Sequence, residues 1–542
     1  MITHEVLNQV PPLVDYNAAE VPSIREALER AGAADALSGL DDVGRAAGSA
    51  HALTLGDLAE RNEPVLRTHD RYGHRIDEVE YDPSYHELMR TAFGFGIHAA
   101  AWADDTRHAH LVRAAKYSVW QGVDAGHGCP VTMSYAAVPA LRATPELAAV
   151  YEPLLTSRDY DFGLREPTGK RGLTAGMSMT EKQGGSDVRA NTTTAEPLAD
   201  GSYRIVGHKW FTSAPMSDIL LTLAQAPGGL TCFVLPRVLP DGTRNPIRLQ
   251  RLKDKLGNRS NASSELEYEN ALGWRLGEEG RGVPAIIEMV NGTRLDCTLG
   301  TATMMRNGVH QAIHHARHRA AFGRTLVDQP LMRNVLADLA LEAEGSTTVA
   351  LWLASLIDDG LAGDGRAPLL RRIGLAISKY YVCKRGPEHA AEALECLGGN
   401  GYVEESRMPR IYREMPLNSV WEGSGNVAAL DTLRAIAKQP DTLAVLRDFL
   451  GESAGADRRY DEFTARLVRH FADPESLEYR ARSVVGELAV ALQASLLLRH
   501  APAPVADAFV ASRLAGERGA VYGTLGPGVD LDAVIDRFAI AI

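Results

Sequence analysis

The spacing of hydrophobic positions divides the chain into stretches of different texture. Residues 1 to about 175 read as mostly helical. From Tyr85 to Val123 apolar residues recur at helical spacing, and an Ala-rich helical pattern returns from Ala136 to Tyr151. The polar, Gly- and Pro-containing segment Asp159–Arg171 reads as a connector. From about Leu173 to Leu276 short β-type runs take over: Tyr203–Val206, Ile219–Ala224, Thr231–Leu235 and Glu265–Tyr268. Asp200-Gly201, Gly228-Gly229 and Asp241-Gly242 mark turns between them. Helical spacing resumes from Val283 to Lys438, most clearly over Val335–Leu356. A last helical block, residues 441–542, contains the apolar segment Val484–Leu498, which should be buried. The expected domains are therefore 1–175 (helical), 176–282 (β), 283–440 (helical bundle) and 441–542 (helical), an α+β multidomain chain. This order argues against a nucleotide-binding α/β sheet, in which strand and helix alternate throughout.

Composition narrows the class. A chain of 542 residues is too long for one core. Its 45% hydrophobic and 23% charged content is that of a soluble globular protein, and its formal net charge of −12 does not draw it onto nucleic acid or anionic lipid. Five cysteines without a Cys-x-x-Cys pair point to reduced thiols and a cytoplasmic setting. No secretory signal is read at the N-terminus, and no apolar run is read as approaching a membrane span. Rossmann, Walker and His-Glu-x-x-His motifs are absent. His314, His315 and His318 fall on a predicted helix. Without a carboxylate or Cys to complete a set, they read as a solvated or subunit-facing surface, so no metal is expected.

Three segments carry candidate chemistry. In MSMTEKQGGSDVRANTT (Met177–Thr193) a Gly-Gly loop is flanked by Thr180, Ser186 and Asp187, and offers N–H groups and hydroxyls to a phosphate or a flavin edge; a plain β-turn reads equally well. In GHKWFTSA (Gly207–Ala214), Trp210 stands at the end of a β-run, as core or against a planar ligand. In ECLGGNGYVEESRMPRIYRE (Glu395–Glu414) and SVWEGSGN (Ser419–Asn426), glycine loops surround the single acid Glu422; they suit either helix caps or a carboxylate beside a ligand.

Together these segments resemble the acyl-CoA dehydrogenase family. Thr180-Glu181 with Gly185-Ser186-Asp187 matches the family's first signature. Glu395, Gly398, Gly399, Gly401, Tyr402, Glu405, Arg410 and Glu414 match the second, and Arg319-x-x-Phe322-Gly323 lies between them. TEKQGGSDV, GHKWF, Arg251–Glu265, Ile411–Asn426 and the N-terminal VLNQVPPL are similar to the AidB-like branch, the adaptive-response alkylation-damage flavoproteins. The resemblance implies a helical domain, a β-barrel domain, a helical bundle and a C-terminal helical domain, with FAD as cofactor. It implies FAD contacts from Met179, Thr180, Gly185, Ser186, Trp210, Phe211, Thr212, Ser213, Trp421, Gly423, Ser424 and Asn426. Arg319 and Phe322 would reach FAD from a neighbouring subunit of a homo-oligomer, as in a tetramer. Glu422 corresponds to the catalytic base of an acyl-CoA or related thioester substrate, with Arg294 and Arg434 as further active-site residues.

Departures from the family pattern bear on turnover more than on FAD. Pro330 stands where a Gln is frequent, Glu395 replaces Gln, Asn291 replaces Asp, and Trp421 replaces the usual Tyr. The branch is also associated with binding double-stranded DNA and protecting it from alkylation. Residues 441–542 hold 11 Arg and no Lys against 15 acids, a net −4 that favours a solvated structural block. Arg458, Arg459, Arg466 and Arg469 are the DNA-binding candidates there, gathered on one helix face.

Overall fold

β-branched and aromatic residues build nine strands in one part of the chain. A hairpin of β1 (Val65–His69) and β2 (Arg75–Glu80) comes first. β3 (Ala175–Ser178), β4 (Thr194–Pro197), β5 (Tyr203–Ser213), β6 (Ile219–Ala226), β7 (Gly229–Pro236), β8 (Ile247–Leu252) and β9 (Ser263–Leu276) follow. These seven form one sheet in the order β3-β5-β4-β6-β7-β9-β8. Further β3–β6 and β5–β9 pairings fold it back on itself, as in a barrel. Side chains alternate across the strands, so Ile205, Leu220, Phe233, Leu235, Leu249, Leu266 and Tyr268 share one buried core. The computed structural model describes residues 4–540. The sheet belongs to a unit of His51–Ala109 and Val123–Asp296; Met1–Ala50, His110–Gly122 and Cys297–Ile542 form a second, helical unit.

Three local readings are corrected. The hairpin β1–β2 lies in the stretch read as mostly helical, where no strand was expected; its strands mix polar and apolar residues and leave most positions partly exposed, so no clear apolar period announces them. Within Tyr85–Val123 the helix stops at Gly94, Gly96 turns with φ +70°, and the next α-helix spans Ala109–Trp120. The Ala136–Tyr151 pattern spans two helices, Ala125–Leu141 and Pro145–Leu155, separated where Thr144-Pro145 starts the second.

The helical unit is built around the helices Pro330–Leu361, Ala367–Glu395 and Ala481–His500, which pack on one another. Ala481–His500 corrects the membrane reading: by length and composition it could cross a membrane, but Val484, Leu488, Leu492 and Leu496 are buried inside the unit. The histidine run is not a solvated face, since His314 and His315 are buried and His314 Nε2 donates to the carbonyl of Pro11 at 2.7 Å. The early Pro-containing segment covers that part of the helix Gly282–His318. Among the described residues no His/Cys/Asp/Glu cluster suits a metal, and all five cysteines are buried.

The last block is tied to the rest of its unit by buried charges. Arg513 pairs with Asp338 at 2.6 Å and with Glu342 at 3.2 Å, and Arg385 reaches Glu342 at 3.4 Å and the Tyr522 hydroxyl at 2.7 Å. Burial alone would raise the Glu342 pKa, but Arg385 and Arg513 outweigh it and hold the carboxyl down to about 2. A depressed carboxyl adds stability above its unfolded pKa and loses it as pH falls through the folded value. Thermal stability should therefore fall between pH 4.5 and 2. The stability–pH slope over that window should be shallower in Glu342→Gln, and equal slopes in the two proteins would refute the assignment.

Candidate functional site

In the sheet unit the Gly-Gly loop is organised by Glu181, whose side chain is fully buried. One oxygen accepts from Lys209 Nζ at 2.9 Å and Thr193 N at 3.1 Å; the other accepts from Thr192 N at 2.7 Å and Gln183 Nε2 at 2.8 Å. Burial would raise this carboxyl, yet those donors hold it well below the usual range. Lys209 also donates to the Leu223 carbonyl at 2.8 Å, so a buried ion pair ties the loop to β5 and β6. Trp210 N donates to the Thr180 carbonyl at 2.8 Å, fixing the loop's start beside the indole. A Cβ at Gly185 would lie 2.4 Å from Thr180 Oγ1, so any larger residue there would displace the Thr180 side chain.

The candidates around that loop differ in what they present. Ser186 and Phe211 are exposed, while Met179, Gly185, Trp210 and Ser213 are half-buried. Lys253 Nζ sits 3.6 Å from the Trp210 ring centroid, and Lys182 and Arg251 lie 5.8 Å away, giving the indole a cationic surround. Thr212 is fully buried and its hydroxyl is 2.5 Å from that of Ser178, so it braces Ser213 from inside the sheet. Arg294 is buried on the helix Gly282–His318.

In the helical unit, Glu422 lies between the helices Met408–Asn418 and Gly425–Lys438. Its backbone is left-handed, φ +56°, and Gly423 follows at φ +99°. A side chain in that region costs about 1–3 kcal/mol and persists only where neighbours enforce it. Two sets of bonds surround it, one holding the preceding Trp421 side chain and one holding the main chain on both sides. Trp421 Nε1 donates to Asn418 Oδ1 at 2.9 Å, and Asn418 Nδ2 donates to Thr301 Oγ1 at 3.0 Å. From the helix Ala367–Glu395, Lys379 Nζ donates to the carbonyl of Trp421 at 2.8 Å and to that of Gly423. Ser424 is the residue before the second helix, and exposed Asn426 accepts from Arg482 Nε at 2.8 Å. Arg434 is exposed on that helix. Lys379, Asn418 and Lys209 were not singled out from sequence, and Glu181 was read only as a signature residue with no role. Glu181, Lys209 and Asn418 lie inside the quoted segments, whereas nothing local marks Lys379.

Arg319 and Phe322 frame a tight hairpin, Ala320–Ala321 paired with Arg324–Thr325. Phe322 (φ +54°) and Gly323 (φ +81°) make a two-residue turn of the mirror-image type that suits strand twist. The turn leaves the Phe322 ring 98% exposed. Arg319 donates to the Asn8 carbonyl.

The DNA-binding candidates do not share one helix face. Arg458, Arg459 and Arg466 lie on the helix Arg458–Leu467, and Arg469 lies beyond its end. Arg459 is engaged by Asp457 at 2.6 Å and Asp507 at 2.5 Å. Arg458, Arg466 and Arg469 are exposed.

The buried-acid loop beside a surface Trp, and the lone acid on a strained glycine turn, are accompanied by family matches over most of the chain. Residues 8–162 match the adaptive response protein AidB N-terminal domain, 176–271 the acyl-CoA dehydrogenase middle domain, and 280–437 the acyl-CoA dehydrogenase C-terminal domain. The chain belongs to the acyl-CoA dehydrogenase family of FAD-dependent oxidoreductases. Within that family it falls in the AidB branch, being 46% identical over 513 residues to AidB of Escherichia coli K12, with 94% of each chain covered. It is 31% identical over 426 residues to acyl-CoA dehydrogenase family member 11 of Caenorhabditis elegans, covering 75% of this chain and 68% of that one. The fold matches the crystal structure of C. elegans ACDH-11 in complex with C11-CoA with a TM-score of 0.85 at 24% identity, covering 99% and 93% of the two chains.

The residues present fit FAD. The close Gly185–Thr180 approach leaves a loop that a Cβ would fill, Ser186 is exposed on it, and a half-exposed indole stands at the end of β5. A phosphate-rich, planar cofactor needs such groups.

Proposed function

We propose that the protein dehydrogenates an acyl thioester, with Glu422 as the base that takes the α-proton. Thr180, Gly185 and Ser186 would hold the flavin edge and pyrophosphate, and Trp210 and Ser213 the isoalloxazine. Bound FAD supplies the two-electron acceptor for the β-hydride. As the Cα–H bond breaks, its proton moves to the Glu422 carboxylate and its electron pair forms the Cα=Cβ bond, while the β-hydrogen leaves with both electrons of its own bond. The observation that carries this reading is the left-handed turn at Glu422, a conformation kept at a structural cost by Lys379 on the flanking carbonyls, beside a Trp421 held by Asn418. Pinning the Trp421 indole fixes a large side chain beside the base, which favours short or branched acyl groups over long straight ones. Anaerobic addition of a panel of acyl-CoA thioesters should bleach the yellow holoprotein, with short or branched chains fastest. A flavin that stays oxidised with every member would remove the proposal.

A second reading, duplex DNA binding by the C-terminal block, rests on the exposed Arg458, Arg466 and Arg469. Three phosphate contacts would give a slope of log K against log salt of about −3. The triple alanine variant should lose that slope, and a gel shift insensitive to salt would end this reading.

A further inference from the structure

We propose that Lys379 is the positioning residue for the base loop, clamping the main chain on both sides of Glu422; this rests on the reading of Glu422 as the base. The Lys379 side chain is 1% exposed and comes from a different helix, Ala367–Glu395. Its ammonium donates to the carbonyl before Glu422 and to the carbonyl after it. Both acceptors are main-chain oxygens, so the buried charge organises backbone instead of pairing with a carboxylate. A charged donor makes such bonds stronger than a neutral one would, because in a buried site the carbonyl dipoles stand in for water.

The geometry explains why the clamp matters. With Glu422 at φ +56° and Gly423 at φ +99°, two consecutive left-handed residues turn the chain, and both flanking carbonyls reach one ammonium. Without the ammonium, two carbonyls lose a partner and Glu422 gains the option of the ordinary right-handed or extended regions. Either region re-aims its Cα–Cβ bond and moves the carboxylate by more than the tolerance of a proton transfer. The Trp421–Asn418–Thr301 bonds hold the preceding residue but do not define φ at 422.

Lys379→Met keeps the volume and apolar stem while removing charge and donors; Lys379→Arg keeps both, and Lys379→Gln keeps a neutral donor. In holoprotein, Lys379→Met should retain FAD within about twofold and bind acyl-CoA within about threefold, yet reduce its flavin about 100-fold more slowly. Lys379→Arg should recover at least tenfold of that loss. In a Glu422→Gln background, Lys379→Met should slow reduction no further, because there is no base left to misplace. A wild-type rate in Lys379→Met, or the same fold-loss in both backgrounds, overturns the proposal. Amide hydrogen exchange across Trp421–Ser424 gives a readout independent of turnover, and should quicken at least tenfold in Lys379→Met. If no thioester reduces even the wild-type protein, the dehydrogenase reading fails, and exchange alone judges the clamp: unchanged exchange overturns it. Failure of all three variants to fold also overturns it, since Lys379 would then serve the fold and not the loop.

Discussion

Glu422→Gln lowers the rate of flavin reduction by an acyl thioester by about 10²–10⁴, the usual contribution of a positioned general base, while FAD content stays that of the wild type. The substitution is nearly isosteric and keeps a polar side chain in the left-handed turn, so the Lys379 clamp and the Trp421–Asn418 bond have no reason to change. What is lost is the ability to accept a proton. The thioester α-proton is weakly acidic, and water admitted to the site does not replace a carboxylate held at one place. Stopped-flow absorbance under anaerobic conditions, with FAD quantified per chain, checks both halves of the expectation. Reduction within tenfold of the wild-type rate would take the role of base away from Glu422.

Arg513→Met costs about 3–5 kcal/mol of stability, the penalty for leaving buried carboxylates without their cation. Arg513 is 3% exposed, and its partners Asp338 and Glu342 are 0% and 1% exposed. Asp338 keeps Gly523 N at 3.1 Å and Arg518 at 3.5 Å, and Glu342 keeps Arg385, but neither regains the bond that Arg513 supplied. Because Arg513 and Tyr522 come from the last block while Asp338, Glu342 and Arg385 lie on earlier helices, the first consequence should be release of that block. Urea unfolding followed together with limited proteolysis should show residues beyond about 500 cut at lower denaturant than in wild type. A loss under about 1 kcal/mol, with unchanged proteolysis, would show that the pair is not what holds the block down.

Much of this was legible from sequence, where local patterns were strong. Short β-type runs marked β5, β6, β7 and β9, although each strand runs longer than its apolar stretch: β5 extends past Val206 to Ser213 because His208, Lys209, Thr212 and Ser213 also pair across to β9. The burial of Val484–Leu498 was readable because its polar residues are so few. The sequence segments placed Thr180 and Glu422 in glycine loops and Trp210 at the end of a β-run, and Trp210 lies near the end of β5.

What was not legible depends on partners distant in sequence. The hairpin β1–β2 is polar enough to pass for a helical surface; it is held by Asp77, which accepts from Arg75 and from Leu249 N. His314 looked solvated because nothing near it in sequence shows that Pro11 covers it. Lys379 stands 43 residues before Glu422 on a helix with no motif of its own, and the left-handed turn it clamps is invisible in a string of letters. Arg459 looked available for DNA because its acidic partner Asp507 is brought in by folding.

The claim that Glu422 removes an α-proton is tested most directly by following that proton. Holoprotein is mixed anaerobically, in ordinary water, with a thioester carrying deuterium at both α-positions, and the product is analysed by mass once the flavin has bleached. The enoyl product of the wild-type protein should have lost at least one α-deuterium for every flavin reduced, and Glu422→Gln should form that product about 10²–10⁴ times more slowly. A bleached flavin whose acyl product retains both α-deuteriums would contradict the account.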